Sequence, residues 1–302
     1  MKCTRCRQRA CIALPAHNAG FCESCFELYF ERQVSKAVKS KNMFSHEDRI
    51  LVALSGGKDS LALALQLKRL GYDIQGLHMD LAIPDSSASA RQFVEQFCKT
   101  YDIQVHILET ALLGLPIPEV RQKIRRPVCS VCGKIKRYYF NKFAMDNNFD
   151  VLATGHNLDD EAARLVSNIL RWDAAYLGDQ GPVLPAENGF VRKVKPLYRL
   201  SEFETAGYCF LSGIEYSSVP CPYSKGASFT FYKTLLDELE DKQPGRKLDF
   251  YEGFLQRGRQ GFALLDREKG SPVSPCLICG YPTSEDVCGV CRIREAVAGP
   301  GA

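Results

Sequence analysis

The chain has 302 residues, 45% hydrophobic and 25% charged, enough to bury one full α/β core with small appendages to spare. No apolar run approaches the roughly 20 residues of a membrane span, and the start, Met1-Lys-Cys-Thr-Arg-Cys6, has no signal-peptide pattern, so a cytoplasmic protein with no membrane partner is expected. The formal charge of +4 is unevenly placed: Arg121 to Arg137 holds seven basic and no acidic residues, leaving the rest of the chain at −3, and a local field of that sign suits a polyanion.

Fourteen cysteines without an export signal read as metal ligands and reactive thiols rather than disulfides. The chain opens with Cys3-x2-Cys6 and Cys22-x2-Cys25, four soft ligands at the spacing of a structural zinc site. Cys11 and His17 lie between the knuckles without a partner at knuckle spacing and read as bystanders. From Phe26 to Val38, apolar residues recur at helical spacing (Phe26, Tyr29, Phe30, Val34, Val38), which predicts a helix joining this module to the main domain.

An apolar strand, Ile50–Leu54, then runs into Ser55-Gly-Gly-Lys-Asp-Ser60 and a periodic helix from Leu61 to Leu70. Such a turn offers backbone N–H groups and a helix N-terminus to an anion, with Gly56 and Gly57 leaving room for close approach. The Walker spacing is absent. Further strands are expected at Asp73–Met79, Ile103–Leu108 and Val151–Thr154, with helices between them, giving a parallel, doubly wound sheet. Cys98 follows Phe93, Val94 and Phe97 on one of these helices and is expected in the core. Thr110–Pro127, with one glycine and three prolines, reads as a long irregular connection.

At its end comes Pro127-Val-Cys129-Ser-Val-Cys132-Gly-Lys-Ile-Lys136-Arg-Tyr138, a third knuckle without a fourth. By context its partner is Cys221, in a loop fixed by Pro220 and Pro222, while Cys209 belongs to an apolar stripe with Phe203, Ala206 and Phe210. Three thiolates either await a His or Asp to complete a zinc site or suffice for an iron–sulfur cluster with one open iron. After the fourth strand, Thr154-Gly-His-Asn-Leu-Asp-Asp160-Glu begins a helix. Its acids suit the positive helix end, and Asp160 equally suits a proton acceptor or metal-assisting carboxylate, with Gly155 admitting a ligand to the strand end. Arg171–Lys195 reads as a loop-like insertion ending in a second basic patch, Arg192, Lys193 and Lys195. Cys276-x2-Cys279 and Cys288-x2-Cys291 close the chain as a zinc ribbon.

Ser-Gly-Gly-Lys-Asp-Ser resembles the PP-loop of N-type ATP pyrophosphatases. The whole order of motifs, with Cys129-Ser-x-Cys132-Gly-x2-Lys136-Arg-Tyr, Thr154-Gly-His-Asn-Leu-Asp-Asp160-Glu-Ala, Cys221-Pro and four-cysteine modules at both ends, resembles the TtuA family of tRNA uridine 2-sulfurtransferases. One departure concerns the first zinc site, whose fourth ligand is a histidine in some relatives and Cys25 here. The resemblance implies an α/β PP-loop ATPase with zinc modules at both termini: a module at 1–28, a linker helix at 29–48, a catalytic domain at 49–258 and a ribbon at 272–295. It implies ATP contacts at Ala53, Ser55, Gly56, Gly57, Asp59, Ser60, Met79, Lys136 and Gly155, and catalytic roles for Lys136 and Asp160, to which the loop residues Lys58 and Asp59 are added. Cys129, Cys132 and Cys221 would hold a [4Fe-4S] cluster, with Mg²⁺ and two Zn²⁺ as further cofactors. The implied reaction is adenylation of a tRNA uridine C2 carbonyl followed by sulfur transfer, in a homodimer supplied by a ubiquitin-like thiocarboxylate protein or by sulfide. The text around the motifs favours uridine 54 of the T-loop over the wobble uridine at 34. An amidating PP-loop enzyme has no use for the three thiols, and a zinc-ribbon RNA-binding module would leave Ser55–Ser60 unexplained.

Overall fold

A computed structural model describes residues 1–224, 228–266 and 273–299. The start of the ribbon expected at 272 lies outside the described residues. In chain order the elements are β1 (Ile12–Leu14), β2 (Ala19–Phe21), α1 (Glu23–Ser40), β3 (Ile50–Leu54), α2 (Lys58–Arg69), β4 (Ile74–Asp80), α3 (Ser86–Thr100), β5 (Val105–Glu109), α4 (Ile117–Lys123), α5 (Val128–Asp146), β6 (Val151–Thr154) and α6 (Leu158–Leu170). They continue with α7 (Ala174–Asp179), β7 (Val183–Leu184), β8 (Arg192–Val194), α8 (Glu202–Leu211), α9 (Ser228–Lys242), α10 (Arg246–Gly253), α11 (Arg259–Asp266), β9 (Ser274–Pro275), β10 (Pro282–Thr283) and α12 (Gly289–Ala298). Among the described residues no helix is long and apolar enough to cross a membrane.

The central sheet has the order β5-β4-β3-β6-β8-β7, parallel throughout except for β7 against β8. Because β3 is followed outward on one side by β4 and β5, and on the other by β6, the strand order reverses between β3 and β6. Ala53 lies opposite Thr154 there, so the loops after both strands open side by side at the carboxyl edge, where open α/β sheets bind ligands.

Alternation along β3 sends Ile50, Val52 and Leu54 into the main core with α1, α2, α3 and α8, while Leu51 joins Leu77, Ala144, Phe149 and Leu152 under α5. The helix foreseen from Phe26 to Val38 is α1; Phe30 stacks on Tyr208 of α8 at 4.0 Å, binding the N-terminal module to the sheet domain. The C-terminal ribbon shares its own core with α4 and α5 through Ile117, Val120, Ile135, Tyr138 and Val290.

Three expectations need correcting. Thr110–Pro127 contains α4, since Pro116 is its N-cap and Pro118 lies in its first turn, positions where a missing N–H costs nothing. Arg171–Lys195 holds α7, β7 and β8, and of its basic end Lys195 belongs to no patch: it is 7% exposed and pairs with the fully buried Glu161 at 2.8 Å, while Arg192 and Lys193 stay partly exposed. In α8 the buried face is Glu204, Thr205, Tyr208 and Cys209, whereas Phe203 and Phe210 are 59% and 84% exposed. Cys209 is thus core, as expected, but on a polar-rich face that the aromatic spacing did not mark. Cys98 is buried in α3.

Candidate active site and metal centres

Ser55–Ser60 closes on itself through hydroxyls. Ser60 Oγ accepts from the Ser55 N–H at 3.1 Å and donates to the Gly57 carbonyl at 2.9 Å, and Ser55 Oγ accepts from the Gly57 N–H at 3.3 Å. Gly56 has φ 79°, and a Cβ there would lie 2.7 Å from the Ala90 carbonyl oxygen, so the turn requires glycine. No side chain caps α2 at Gly57, which leaves its first-turn N–H groups facing the cleft.

Gly155 serves packing. A Cβ on it would stand 2.8 Å from the Asp59 carbonyl carbon and the Ser60 nitrogen, so its hydrogen is what lets the β6 loop lie against the first turn of α2. Asp59 ties three helices together: Oδ1 accepts from Asn157 Nδ2 at 3.0 Å and from Thr205 Oγ1, and Oδ2 accepts from Lys58 Nζ at 2.9 Å. Lys58 also reaches Glu202 at 4.0 Å. Burial opposes its charge, but Asp59 and Glu202 outweigh that and hold it above the usual lysine range.

The acids at the start of α6 divide by partner. Asp159 pairs with the buried Lys247 at 2.5 Å and accepts from the Glu202 N–H, and Glu161 holds Lys195 and the Tyr251 hydroxyl. Both are structural. Asp160 faces the cleft, where one oxygen accepts from the Asn157 N–H in a capping box and the other pairs with Lys233 of α9 at 2.6 Å. Burial pushes its pKa up, against the opposing pull of Lys233. Lys233 also pairs with Glu202, so Asp59, Lys58, Glu202, Lys233 and Asp160 form a chain of alternating charge across the cleft.

Cys129 stands in the first turn of α5, whose positive end favours a thiolate, and Cys132 follows at the start of the second. The Cys221 loop returns to them: Cys129 Sγ donates to the Tyr223 carbonyl at 3.4 Å, and Cys132 and Cys221 pack on one apolar cluster. Burial pushes the Cys132 thiol up, opposed by Lys136 one turn along, with Cys221 and Cys129 near enough to add repulsion. The Cys221 loop thus lies beside the start of α5, with Lys136 within electrostatic reach of Cys132, although among the described residues only the two terminal four-cysteine sets bring their sulfurs within 4.8 Å of one another. Lys136 also bears on His156, whose imidazole meets Thr154 Oγ1 at 2.8 Å and is held neutral by burial and by Lys195, Lys193, Arg164 and Lys136. Lys136 is therefore within electrostatic reach of both Cys132 and the β6 loop. Met79 is buried on β4 beside β3, and Ala53 is half-buried on β3.

The sulfurs of Cys3, Cys6, Cys22 and Cys25 lie within 4.8 Å of one another, as do those of Cys276, Cys279, Cys288 and Cys291. In the ribbon, N–H groups of Cys288 and Cys291 donate to Cys276 Sγ at 3.2 Å and Cys288 Sγ at 3.4 Å, the arrangement that stabilises ligating thiolates. Burial raises the Cys3 thiol, but N–H groups of Cys6, Cys22 and Arg5 outweigh it and bring it down to about 6. Cys11 and His17 lie outside the first set, bonded to the Phe21 carbonyl and the Tyr29 hydroxyl.

Sequence reasoning missed Thr205, Glu202, Lys233, Asn157 and His156. Only the last two carried a signal, through the run after Thr154; the others come from α8 and α9, far along the chain.

Residues 26–220 match the PP-loop domain model, and residues 2–27 match the N-terminal LIM domain of 2-thiouridine synthetase TtuA. The chain is 44% identical to the tRNA-5-methyluridine(54) 2-sulfurtransferase of Pyrococcus horikoshii, over 97% of this chain and 93% of that one. It is 40% identical to the enzyme of the same name from Thermotoga maritima, over 98% and 97%. Among solved structures, the U34-tRNA thiolase NcsA from Methanococcus maripaludis, which carries a [4Fe-4S] cluster, superposes with a TM-score of 0.80 at 27% identity, over 97% of this chain and 95% of that one. The chain belongs to the PP-loop domain family and, within it, to the TtuA-type tRNA 2-sulfurtransferases.

Proposed function

We propose that this protein is a cytoplasmic, homodimeric enzyme that uses ATP to convert uridine or 5-methyluridine 54 of tRNA to its 2-thio form. The observation that carries the reading is an uncapped helix N-terminus at the β3–β6 switch point, with Lys136 within electrostatic reach of both Cys132 and His156 of the β6 loop. Identity of 44% to a position-54 enzyme against 27% to a U34 thiolase supports position 54 over 34. The layout proposed with it is a module at 1–28, a linker helix at 29–48, a catalytic domain at 49–258 and a ribbon at 272–295.

A uridine C2 carbonyl is a poor electrophile, so its oxygen must first become a leaving group. In this reading the N–H groups of Ser55–Ser60 hold the phosphates of Mg²⁺-bound ATP, with Ala53, Met79 and Gly155 completing the nucleotide site. The C2 oxygen attacks the α-phosphorus, pyrophosphate departs, and sulfide then takes C2 while AMP leaves. Lys136 balances charge at the phosphorus, Asp59 fixes the loop that carries Lys58, and Asp160 is the proton acceptor near the phosphates. Cys129, Cys132 and Cys221 would hold a [4Fe-4S] cluster, which supplies a site for sulfide sheltered from solvent. The donor of that sulfur is a thiocarboxylate protein or free sulfide. The terminal sets would each hold one Zn²⁺ and brace the tRNA-binding ends.

Anaerobically purified protein, assayed for iron, acid-labile sulfide and tRNA-dependent AMP release, tests this. Cluster-loaded protein that releases AMP only with tRNA is expected. AMP release that needs no tRNA, in protein without iron, would overturn it.

A further inference from the structure

Four cations of the main domain are left without a counter-charge: Lys136 and Arg137 on α5, Arg164 on α6 and Lys193 on β8. No carboxylate oxygen among the described residues comes within 4.0 Å of any of them. The nearby acid, Glu161, is already committed to Lys195 and Tyr251. Three of them lie close enough to repel one another, Arg164 bearing on Arg137 and both on Lys193, and Lys136 joins Lys193 and Arg164 in bearing on His156. Uncompensated like charge opposes folding, so a cluster of this kind at the mouth of a site points to an anion supplied from outside.

Two large aromatic residues stand exposed where α6 ends and α7 begins. Trp172 is 74% exposed and Tyr176, which faces Arg137, is 65% exposed. They are exposed yet fixed. Asn168 donates to Gln180 Oε1 at 2.9 Å, Gln180 donates to the Glu161 carbonyl at 2.9 Å, and Arg171 donates to Asn168 Oδ1 at 2.9 Å, which pins the segment to α6. Gly178 packs against Ala263 of α11, where an added Cβ would lie 3.0 Å from its Cα. Trp172 itself is held at φ 49°, a conformation rare for a bulky side chain. Cations with pinned aromatic faces are what a single-stranded or splayed nucleic acid requires, phosphates on the first and bases on the second.

We propose that Arg137, Arg164 and Lys193, rimmed by Trp172 and Tyr176, form the surface that holds the tRNA strand flanking the target uridine. This rests on the tRNA reading above and assigns positions to it. The cations clamp successive phosphodiesters, the indole stacks a neighbouring base, and Lys136 marks where the strand enters the cleft.

Trp172 is the only tryptophan of the 302 residues, so its emission reports on this surface directly. Titrating cluster-loaded protein with unmodified tRNA is expected to quench it. A salt slope near ~0.7 per phosphate of a single strand makes each contact worth about fourfold at ~0.15 M salt relative to ~1 M. Arg164→Gln with Lys193→Gln should therefore weaken tRNA binding roughly 15-fold there and lower the salt slope by about 1.4, with KM for ATP unchanged. Trp172→Ala should cost about tenfold at the stacking position. A double variant with unaltered tRNA affinity and slope, or one whose KM for ATP rises instead, overturns the surface while wild-type tRNA binding keeps the enzyme reading intact. Wild-type protein that binds no tRNA overturns both.

Discussion

Replacing Gly155 with alanine tests how the two loops of the switch point are held. The added Cβ would stand 2.8 Å from the Asp59 carbonyl carbon and Ser60 nitrogen and 2.9 Å from the Asp59 oxygen. All three are backbone atoms that no rotamer change can move aside. Reaching an ordinary contact of 3.4 Å requires the β6 loop and the first turn of α2 to part by ~0.6 Å. Overpacking of this kind costs about 1–3 kcal/mol. Displacement of a catalytic loop by ~1 Å costs about 100-fold in rate, so ~0.6 Å predicts a loss of about 10- to 30-fold. Separation also stretches the bond from Asn157 to Asp59, which spans the same gap. Urea denaturation and tRNA-dependent AMP release read the two effects, with Gly253→Ala as control, since nothing lies within 4 Å of a Cβ there. Wild-type stability and turnover in the Gly155→Ala protein would refute the close-packed description of the loop.

Asp59→Ala removes the acceptor shared by Asn157, Thr205 and Lys58, and AMP release should fall by about 10²–10³ with cluster absorption retained. Cys129→Ala, Cys132→Ala and Cys221→Ala should each bleach the visible absorption and stop thiolation, while the buried Cys98→Ala and Cys209→Ala keep both; a brown, active Cys221→Ala protein contradicts the three-thiol site. Metal analysis should find two zinc ions per chain, and Cys276→Ala should lose one of them and lower the melting temperature before it alters chemistry. Burial, then Lys195, Arg137 and Arg164, push Lys193 down to about 7. A depressed lysine binds fewer protons folded than unfolded, so its stability contribution is present above the unfolded lysine value and is lost as pH falls toward and through about 7. Thermal melts of tRNA-free protein from pH ~9.5 to ~6.5 should show that loss in the wild type and less of it in Lys193→Gln.

Much of the site was legible because its signals are local. Ser55–Ser60 sits between two strongly apolar segments, and each cysteine knuckle is a two-residue spacing, so neither needed knowledge of distant chain. The opposite holds for Thr205, Glu202 and Lys233, polar residues at ordinary helical positions whose role appears only when α8 and α9 pack over α2 and α6. Lys193 and Lys195 looked alike in sequence, yet Lys193 on β8 joins an uncompensated cluster and Lys195, just past the strand, pairs with Glu161. The stripe Phe203, Ala206, Phe210 misled because periodicity marks an apolar face without saying whether anything covers it, whereas Thr205 and Glu204 are buried by hydrogen bonds to Asp59 and Tyr29. In α4, prolines counted as breakers were placed where a helix begins.

The central claim is that ATP-driven chemistry at the β3–β6 switch point places sulfur on C2 of a T-loop uridine. Anaerobic reaction of the cluster-loaded protein with unmodified tRNA, ATP and sulfide, followed by nuclease digestion and mass mapping, tests it most directly. The account predicts a gain of sulfur for oxygen at nucleotide 54, dependent on ATP. Sulfur found only at the wobble nucleotide 34, or none at all from protein with intact iron and zinc, would contradict it.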